Sequence, residues 1–265
     1  MNILIMGRGR VGRALHRALD STEHESSLSS GRRWKTASVQ RADTVILTVP
    51  DHAIEAVAHD IAADLSSGTT VLHCAGAKGA HVLQACAVRG AATGVMHPLV
   101  SFPSTRSAPG FEGTSFAVNG SRHALATSRR IARACGARAI VAQTGDPAYH
   151  AAAALTANGA VALAFVSVGI LERLGFDKRP AERAIGGLLR TVGENVERLG
   201  VPGALTGPIA RGEESVVASH RRALRRADRS ALSAYDAVVP FIVRCARAAG
   251  LSQAKASKIL RSSKG

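Results

Sequence analysis

The stretch "NILIMGRGRVGRALHRAL", Asn2 to Leu19, decides the fold. Asn2 to Met6 is a short, mostly apolar run of strand length, and Val11, Leu15 and Leu19 then recur at helical spacing. Between strand and helix, Gly7, Gly9 and Gly12 form G-x-G-x-x-G. In that setting the first glycine permits a tight turn, the second lets the backbone approach a pyrophosphate, and the third lets helix and strand pack closely. The phosphate then rests on the helix N-terminus. Gly7, Arg8, Gly9, Arg10, Val11 and Gly12 are therefore the expected phosphate contacts of a dinucleotide. A glycine turn with no ligand is the alternative.

Outward from this unit the pattern repeats. "DTVILTVPD", Asp43 to Asp51, reads as a buried strand, followed by an amphipathic helix in "HAIEAVAHDIAADL". Thr69 to His73 supplies another strand, and "AATGVMHPL" one that ends at His97. The Ser, Pro and Gly content of "VSFPSTRSAPGFEGTSFAV" predicts a long loop over the carboxyl edge of the sheet, rejoining it near Ser115 to Val118. A helix over Arg122–Cys135 and a strand over Arg138–Ala142 close this half. Alternating strands and helices predict an α/β fold, a Rossmann doubly wound parallel sheet.

After "QTGDP" strand signals stop. Helices are expected over Ala148–Leu174, Pro180–Leu199, Glu213–Ala227, Ser230–Ala249 and Ser252–Arg261, with Asp146, Asp177 and Ser252 as caps and a kink at Pro240. The expected division is residues 1–145, a cofactor-binding domain, and 146–265, an all-helical substrate and dimerisation domain.

Composition narrows the function classes. The four cysteines, Cys74, Cys86, Cys135 and Cys245, form no C-x-x-C pair, and the ten histidines form no H-x-x-x-H. No disulfide framework and no metal is expected. The opening residues lack a signal-peptide pattern, so a cytoplasmic protein is expected. Lys+Arg exceed Asp+Glu by 34 to 19, which attracts anions, yet only nine aromatics are present and no basic-aromatic motif appears. Solvated helix faces explain the surplus better than nucleic acid does. Pro147 to Leu171 carries no formal charge and exceeds the ~20 residues that cross a bilayer. Its alanine-rich composition and its His150, Asn158 and Ser167 favour a buried helix, with no membrane contact.

The second-strand region decides between cofactors. An NAD site places an acid about 20 residues after the glycines, whereas an NADP site offers Arg or Ser to the 2′-phosphate. Here "SLSSGRRW" presents Ser29, Ser30, Arg32 and Arg33 with no acid, which points to NADP. Strand ends in "TVPD" and "HCAGA" put Val49, Pro50, Asp51, Cys74, Ala75 and Gly76 in the same crevice, as ribose and nicotinamide contacts. His73 is better read as a packed strand-end residue.

"NILIMGRGRVG", "ADTVILTVPDHAI", "VLHCAGAKG", "MHPLVSF", "YHAAAALTANGAVAL" and "LTGPIARGE" together resemble little-characterised oxidoreductases that join an NADP-binding Rossmann domain to a helical domain of the 6-phosphogluconate dehydrogenase type. Ketopantoate reductase, pyrroline-5-carboxylate reductase and prephenate dehydrogenase are more distant relatives. The resemblance runs from Asn2 to about Ala249 and implies a two-domain reductase, often a homodimer through its helical half. In ketopantoate reductase and the 3-hydroxyacid dehydrogenases a K-x-x-x-N pair polarises the substrate oxygen. Asn158 matches the asparagine, but Ala154 stands where the lysine would be.

Hydride transfer between NADPH and a C=O or C=N group needs a positioned proton donor. Histidine suits the task because it titrates near neutrality. His150 is the expected acid–base group, one turn before Ala154, with Asn158 hydrogen-bonded to the reacting oxygen. Eight residues in a helix turn through about 800°, which leaves the two on one side of it. His97, held extended by Pro98, is the second catalytic candidate. In "TGPIARGE", Arg211 is the expected grip on a substrate anion, with Thr206 and the more remote His220 beside it. A non-catalytic NADP-binding sensor or scaffold is the alternative that the missing lysine leaves open.

Overall fold

The computed structural model describes residues 1–103 and 109–261. The chain divides into two compact units, Met1–Leu155 and Thr156–Gly265. The first is a seven-stranded sheet in the order β2-β1-β3-β4-β5-β6-β7. Its strands are β1 (Asn2–Met6), β2 (Glu25–Ser29), β3 (Thr44–Leu47), β4 (Thr70–His73), β5 (Ala92–Pro98), β6 (Ser115–Gly120) and β7 (Arg138–Val141). Helices α1 (Arg10–Leu19), α2 (Thr36–Gln40), α3 (Ile54–Ile61), α4 (Gln84–Val88) and α5 (Arg122–Ala134) connect them.

Strand alternation sorts the core. Ile3 and Ile5 of β1 face one side with Leu15, Leu19, Ile46, Leu72 and Met96, while Leu4 and Met6 face the other with Val45, Leu47, Ile54, Ile61 and Val71. A sheet covered on both faces needs strands apolar on both faces, and each such Ile or Leu contributes about 1.5–3 kcal/mol on burial. The chain reverses direction across the sheet between β1 and β3, since β1 pairs with β2 on one side and β3 on the other. Ligands of doubly wound sheets bind at that switch point, beyond the carboxyl ends of the strands.

Two strands depart from the parallel expectation: β6 runs antiparallel to β5, and β7, which pairs parallel with β6, is reversed with it. The long connection expected over 100–118 includes residues 104–108, outside the described residues. Beyond them Phe111 is buried and stacks near Phe116, their rings 5.0 Å apart, which anchors the chain before it enters β6.

The second unit is helical, with α7 (Lys178–Ala204), α8 (Pro208–Arg211), α9 (Glu214–Ala227), α10 (Arg229–Ala248) and α11 (Gln253–Arg261). Ile209, Val217, Val239, Val243, Leu251 and Ile259 form its core. Asp146 caps the long helix α6 (Pro147–Arg173) by accepting from the Ala148 N–H at 2.7 Å. Ser252 likewise accepts from the Lys255 N–H at 3.4 Å. Asp177 sits at the cap of α7 without making a side-chain bond. The expected kink is also displaced. Helix α10 continues through Pro240, and the break in helical dihedrals falls in α7 at Gly200 (φ 74°), two residues before Pro202. Glycine reaches positive φ without steric cost, so the chain turns there and restarts its helix at the proline.

Helix α6 has little burial of its own in the single chain. Val168 is its one residue buried within the chain, while Leu155 is 77% and Phe165 81% exposed. By length and composition it is the one helix among the described residues that is long and apolar enough to cross a membrane.

Candidate active site

The glycine turn shows why each glycine is there. Gly7 holds φ at 128°, and a Cβ on it would lie 2.6 Å from the Thr48 carbonyl. A Cβ on Gly12 would lie 2.0 Å from the Gly7 oxygen and 2.5 Å from Thr48 Oγ1. Both positions are therefore closed to any side chain by the packing of α1 on the strand ends. Gly9 differs: its Cβ would meet one atom, the Thr48 oxygen at 3.9 Å, and its backbone is ordinary extended chain (φ −73°). It caps α1 with no side-chain bond, so the cap leaves the first-turn N–H groups of the helix without a side-chain acceptor of its own. That is the concave, positively polarised backbone a pyrophosphate fits. Thr48 Oγ1, not singled out by the sequence pattern, sits between the Met6 and Gly7 oxygens at 3.2 and 3.0 Å and ties the end of β3 to this turn. Of the two arginines of the motif, Arg10 donates from Nη1 to the Phe102 oxygen (2.8 Å), and Arg8 is exposed with its backbone oxygen accepting from Arg13 Nε (2.8 Å). Val11 is half-buried against the core.

Three further loops leave the same edge of the sheet. After β2, the Ser29 hydroxyl donates to the Arg33 oxygen (3.4 Å) and Ser30 Oγ accepts from the Arg32 N–H (3.1 Å), so the serines shape a loop that carries Arg32 and Arg33 into solvent. A Cβ on Gly31 would lie 2.2 Å from Val49 Cγ1, so this loop rests on the end of β3. Pro50 and Asp51 are exposed beside it. After β4, Cys74, Ala75 and Gly76 are buried, and burial pushes the Cys74 thiol up to about 12, so it is an inert packing group. His73 shapes this loop. Its Nδ1 accepts from the Ala75 N–H (3.2 Å), which leaves Nε2 to donate to the Gly79 oxygen (3.1 Å). Burial first of all pulls its pKa down, and the neutral ring serves as a structural clamp.

At the end of β5 stands a side-chain cluster. His97 is partly buried, and its Nδ1 lies 2.7 Å from the hydroxyl of Tyr149, in the first turn of α6. The His150 ring is exposed, its centroid 6.3 Å from that of His97. Gly76 makes room for the imidazole, since a Cβ there would come within 2.7 Å of the His97 Cε1. Burial is the main reason the His97 pKa falls to about 4; neighbouring His150 and His73 push it the same way, and Asp51 opposes them. The ring is neutral at pH 7. The structure thus brings together His97 and His150, both expected, with Tyr149, which carries no motif of its own.

The remaining candidates lie in the second unit. Asn158 is exposed on α6. Thr206 is exposed before α8, and Arg211 ends α8 with its fork on the Glu213 carboxylate, Nε–Oε1 2.6 Å and Nη2–Oε2 3.0 Å. His220 Nδ1 is 3.1 Å from the Tyr235 hydroxyl. The most buried charge here is Arg221, whose Nε donates to Asp236 Oδ1 at 2.6 Å and Nη1 to the Ile259 oxygen at 3.2 Å. It is a structural tie across α9, α10 and α11. Among the described residues no cluster of His, Cys, Asp and Glu could hold a metal.

Sheet order, switch point and glycine turn together define a Rossmann-type fold followed by a helical region. Comparison by sequence agrees: residues 30–98 match the Rossmann-like domain and residues 114–240 match DUF2520, a domain of unknown function. The two matches follow one another along the chain. No curated protein matches it in sequence. Among solved structures it is similar to protein TM1727 from Thermotoga maritima, with 23% identity, TM-score 0.67, and coverage of 93% of this chain and 98% of that one. A putative NADP oxidoreductase, BF3122 from Bacteroides fragilis, is similar at 19% identity and TM-score 0.64, covering 92% and 98%. Pyrroline carboxylate reductase from Plasmodium falciparum, solved with NADP bound, follows at 12% and 0.62, covering 100% and 98%. At these identities the likeness establishes the fold.

Proposed function

We propose that the protein is an NADP-dependent oxidoreductase that moves a hydride between NADPH and a C=O or C=N group of a small anionic substrate. The observation that carries this reading is the asymmetry of the glycine turn. Packing alone explains Gly7 and Gly12, whereas among the described residues only the Thr48 oxygen, at 3.9 Å, would meet a Cβ on Gly9, which leaves room there for a phosphate. The backbone from Gly7 to Gly12 would hold the pyrophosphate. Ser29, Ser30, Arg32 and Arg33 would take the 2′-phosphate, and the loops at Val49–Asp51 and Cys74–Gly76 would line the ribose and nicotinamide. Two of the similar structures are described as an NADP oxidoreductase and as an NADP-bound reductase, in keeping with this choice.

When bound, the nicotinamide supplies or accepts the hydride. The chain's own part is to manage the proton, and the cluster of His97, Tyr149 and His150 at the carboxyl edge of the sheet suits that task. Asn158 is the proposed hydrogen-bond donor to the reacting oxygen, and Arg211 the anion grip, exchanging the Glu213 carboxylate for that of a substrate. Exposed Leu155, Val161 and Phe165 on α6 support a homodimer that covers this helix; its His150, Asn158 and Ser167 weigh against a membrane span and for a cytoplasmic protein.

Titration of the purified protein with NADPH and NADH, followed by nicotinamide fluorescence, tests the reading. NADPH is expected to bind at least tenfold more tightly. Equal binding would remove the 2′-phosphate assignment, and no binding would remove the function. Cofactor binding without turnover across oxo acids, hydroxy acids and imines would favour the sensor alternative.

A further inference from the structure

The geometry of the His97–Tyr149 pair selects one of its two hydrogen-bonding patterns. Either the phenol donates to Nδ1 or the imidazole Nδ1–H donates to the phenol oxygen, and the heavy atoms lie 2.7 Å apart in both cases. The stronger acid pairs with the stronger base. A phenol ionises near pH 10 and an imidazole nitrogen accepts a proton near 6.5, whereas a neutral imidazole N–H is a far weaker acid and a phenol oxygen a far weaker base. The bond is therefore O–H···Nδ1, and the single ring proton resides on Nε2. Tyr149 is the one hydrogen-bond partner of the His97 ring among the described residues, so none of them accepts from Nε2–H. Gly76 packs against the Cε1 edge of the ring and holds its plane.

We propose that Tyr149 is the proton source of this site and that His97 passes the proton on as a neutral relay, to the oxygen of a carbonyl substrate. The proposal rests on the hydride-transfer reading above and deepens it. Reduction of C=O by a reduced nicotinamide leaves an alkoxide. His97 Nε2–H gives its proton to that oxygen as Nδ1 takes the Tyr149 hydroxyl proton. The imidazole changes tautomer and never becomes a cation; the product is a neutral alcohol and the charge ends on the phenolate, which solvent reprotonates. The direction is downhill, because an alkoxide is a stronger base than a phenolate. Burial keeps imidazolium unfavourable at His97, a cost this route avoids; it also pushes the Tyr149 phenol above its ordinary value, which lessens but does not reverse the fall from alkoxide to phenolate. The route favours C=O over C=N, since a neutral N–H stabilises a developing oxyanion but is too weak an acid to charge an imine nitrogen.

Two measurements on the full-length protein test it. With nitrogen-15-labelled histidine, and His97 assigned by its disappearance in His97→Gln, the ligand-free protein at pH 7 is expected to show a bare, hydrogen-bonded Nδ1 and a protonated Nε2. Tyr149→Phe is expected to move the Nδ1 resonance toward that of a free imidazole nitrogen. A protonated Nδ1, or a resonance unchanged in Tyr149→Phe, overturns the relay, and neither result depends on cofactor binding. With a panel of 2-oxo acids and cyclic imines as probes, Tyr149→Phe is expected to lower kcat for an oxo acid at least tenfold with KM within twofold. An undiminished kcat also overturns the relay, and a panel with no oxo-acid turnover overturns the carbonyl assignment. Loss of NADPH binding in the wild type is the separate failure of the parent reading.

Discussion

Gly9→Ala separates folding from cofactor binding more sharply than any other single change. The added methyl meets only the Thr48 oxygen, at 3.9 Å, which is ordinary contact, and the φ of −73° suits alanine. Stiffening the unfolded chain contributes about 0.4–1 kcal/mol of stability, while alanine is a poorer helix cap than glycine by roughly 0.5–1 kcal/mol. The net change in stability is thus within about 0.5 kcal/mol, or a few degrees in Tm at most. The same methyl occupies the approach of a pyrophosphate to the first-turn N–H groups. Losing even part of those charge-assisted bonds, each about 1.5–3 kcal/mol, weakens binding roughly tenfold to a hundredfold. Gly12→Ala is the contrast, because its Cβ would stand 2.0 Å from the Gly7 oxygen. Overpacking against backbone costs about 1–3 kcal/mol or more, so this variant melts lower before any question of ligand arises. Thermal melting and NADPH fluorescence titration on both variants give the answer. A Gly9→Ala protein that binds NADPH like the wild type, or that melts as low as Gly12→Ala, would falsify the reasoning.

Acid should weaken the fold through His97. Its pKa is about 4 in the folded protein, against about 6.5 for an unperturbed histidine. The unfolded chain therefore binds the extra proton first, and this contribution is complete above pH 6.5 and lost as pH falls toward 4. An interval of about 2.5 pH units is worth about 3.4 kcal/mol, reduced to about 2 for a ring with partial solvent access. Urea midpoints of wild type and His97→Gln should converge by that amount between pH 7 and 4.5, whereas parallel curves would contradict it. Arg221→Met should cost about 3 kcal/mol by stripping Asp236 and the Ile259 carbonyl of their partner, and Arg221→Lys should recover little, because one ammonium cannot reproduce both bonds. Urea denaturation followed by helix circular dichroism reads both. Phe165→Glu should fold normally, given 81% exposure, yet shift the protein from dimer to monomer in light scattering; an unchanged mass would remove α6 from the interface.

Much of the first unit was legible because its signals are local. An apolar run as long as β1, a glycine turn and a helix repeat all lie within Asn2 to Leu19, and β3, β4 and β5 announce themselves in the same way. The exception, β2, reads "ESSLS", since a partly exposed edge strand has little need of apolar residues, and only its pairing with β1 defines it. The reversed β6 left no trace in the pattern, because alternation reports a strand and not its direction.

By itself, the sequence determined the order of elements, the glycine turn, the absence of an acid after β2 and the change from α/β to all-helical texture. Each of these follows from residues a few positions apart, where steric preference and periodicity act. Tertiary structure alone decided that Gly7 and Gly12 are closed by Thr48 while a Cβ on Gly9 would meet only the Thr48 oxygen among the described residues. It also decided that Tyr149 meets His97 across 52 residues. Such pairings depend on how strand ends and a helix start are packed in space, and a hydrogen bond between distant residues leaves no periodic mark on the chain that makes it.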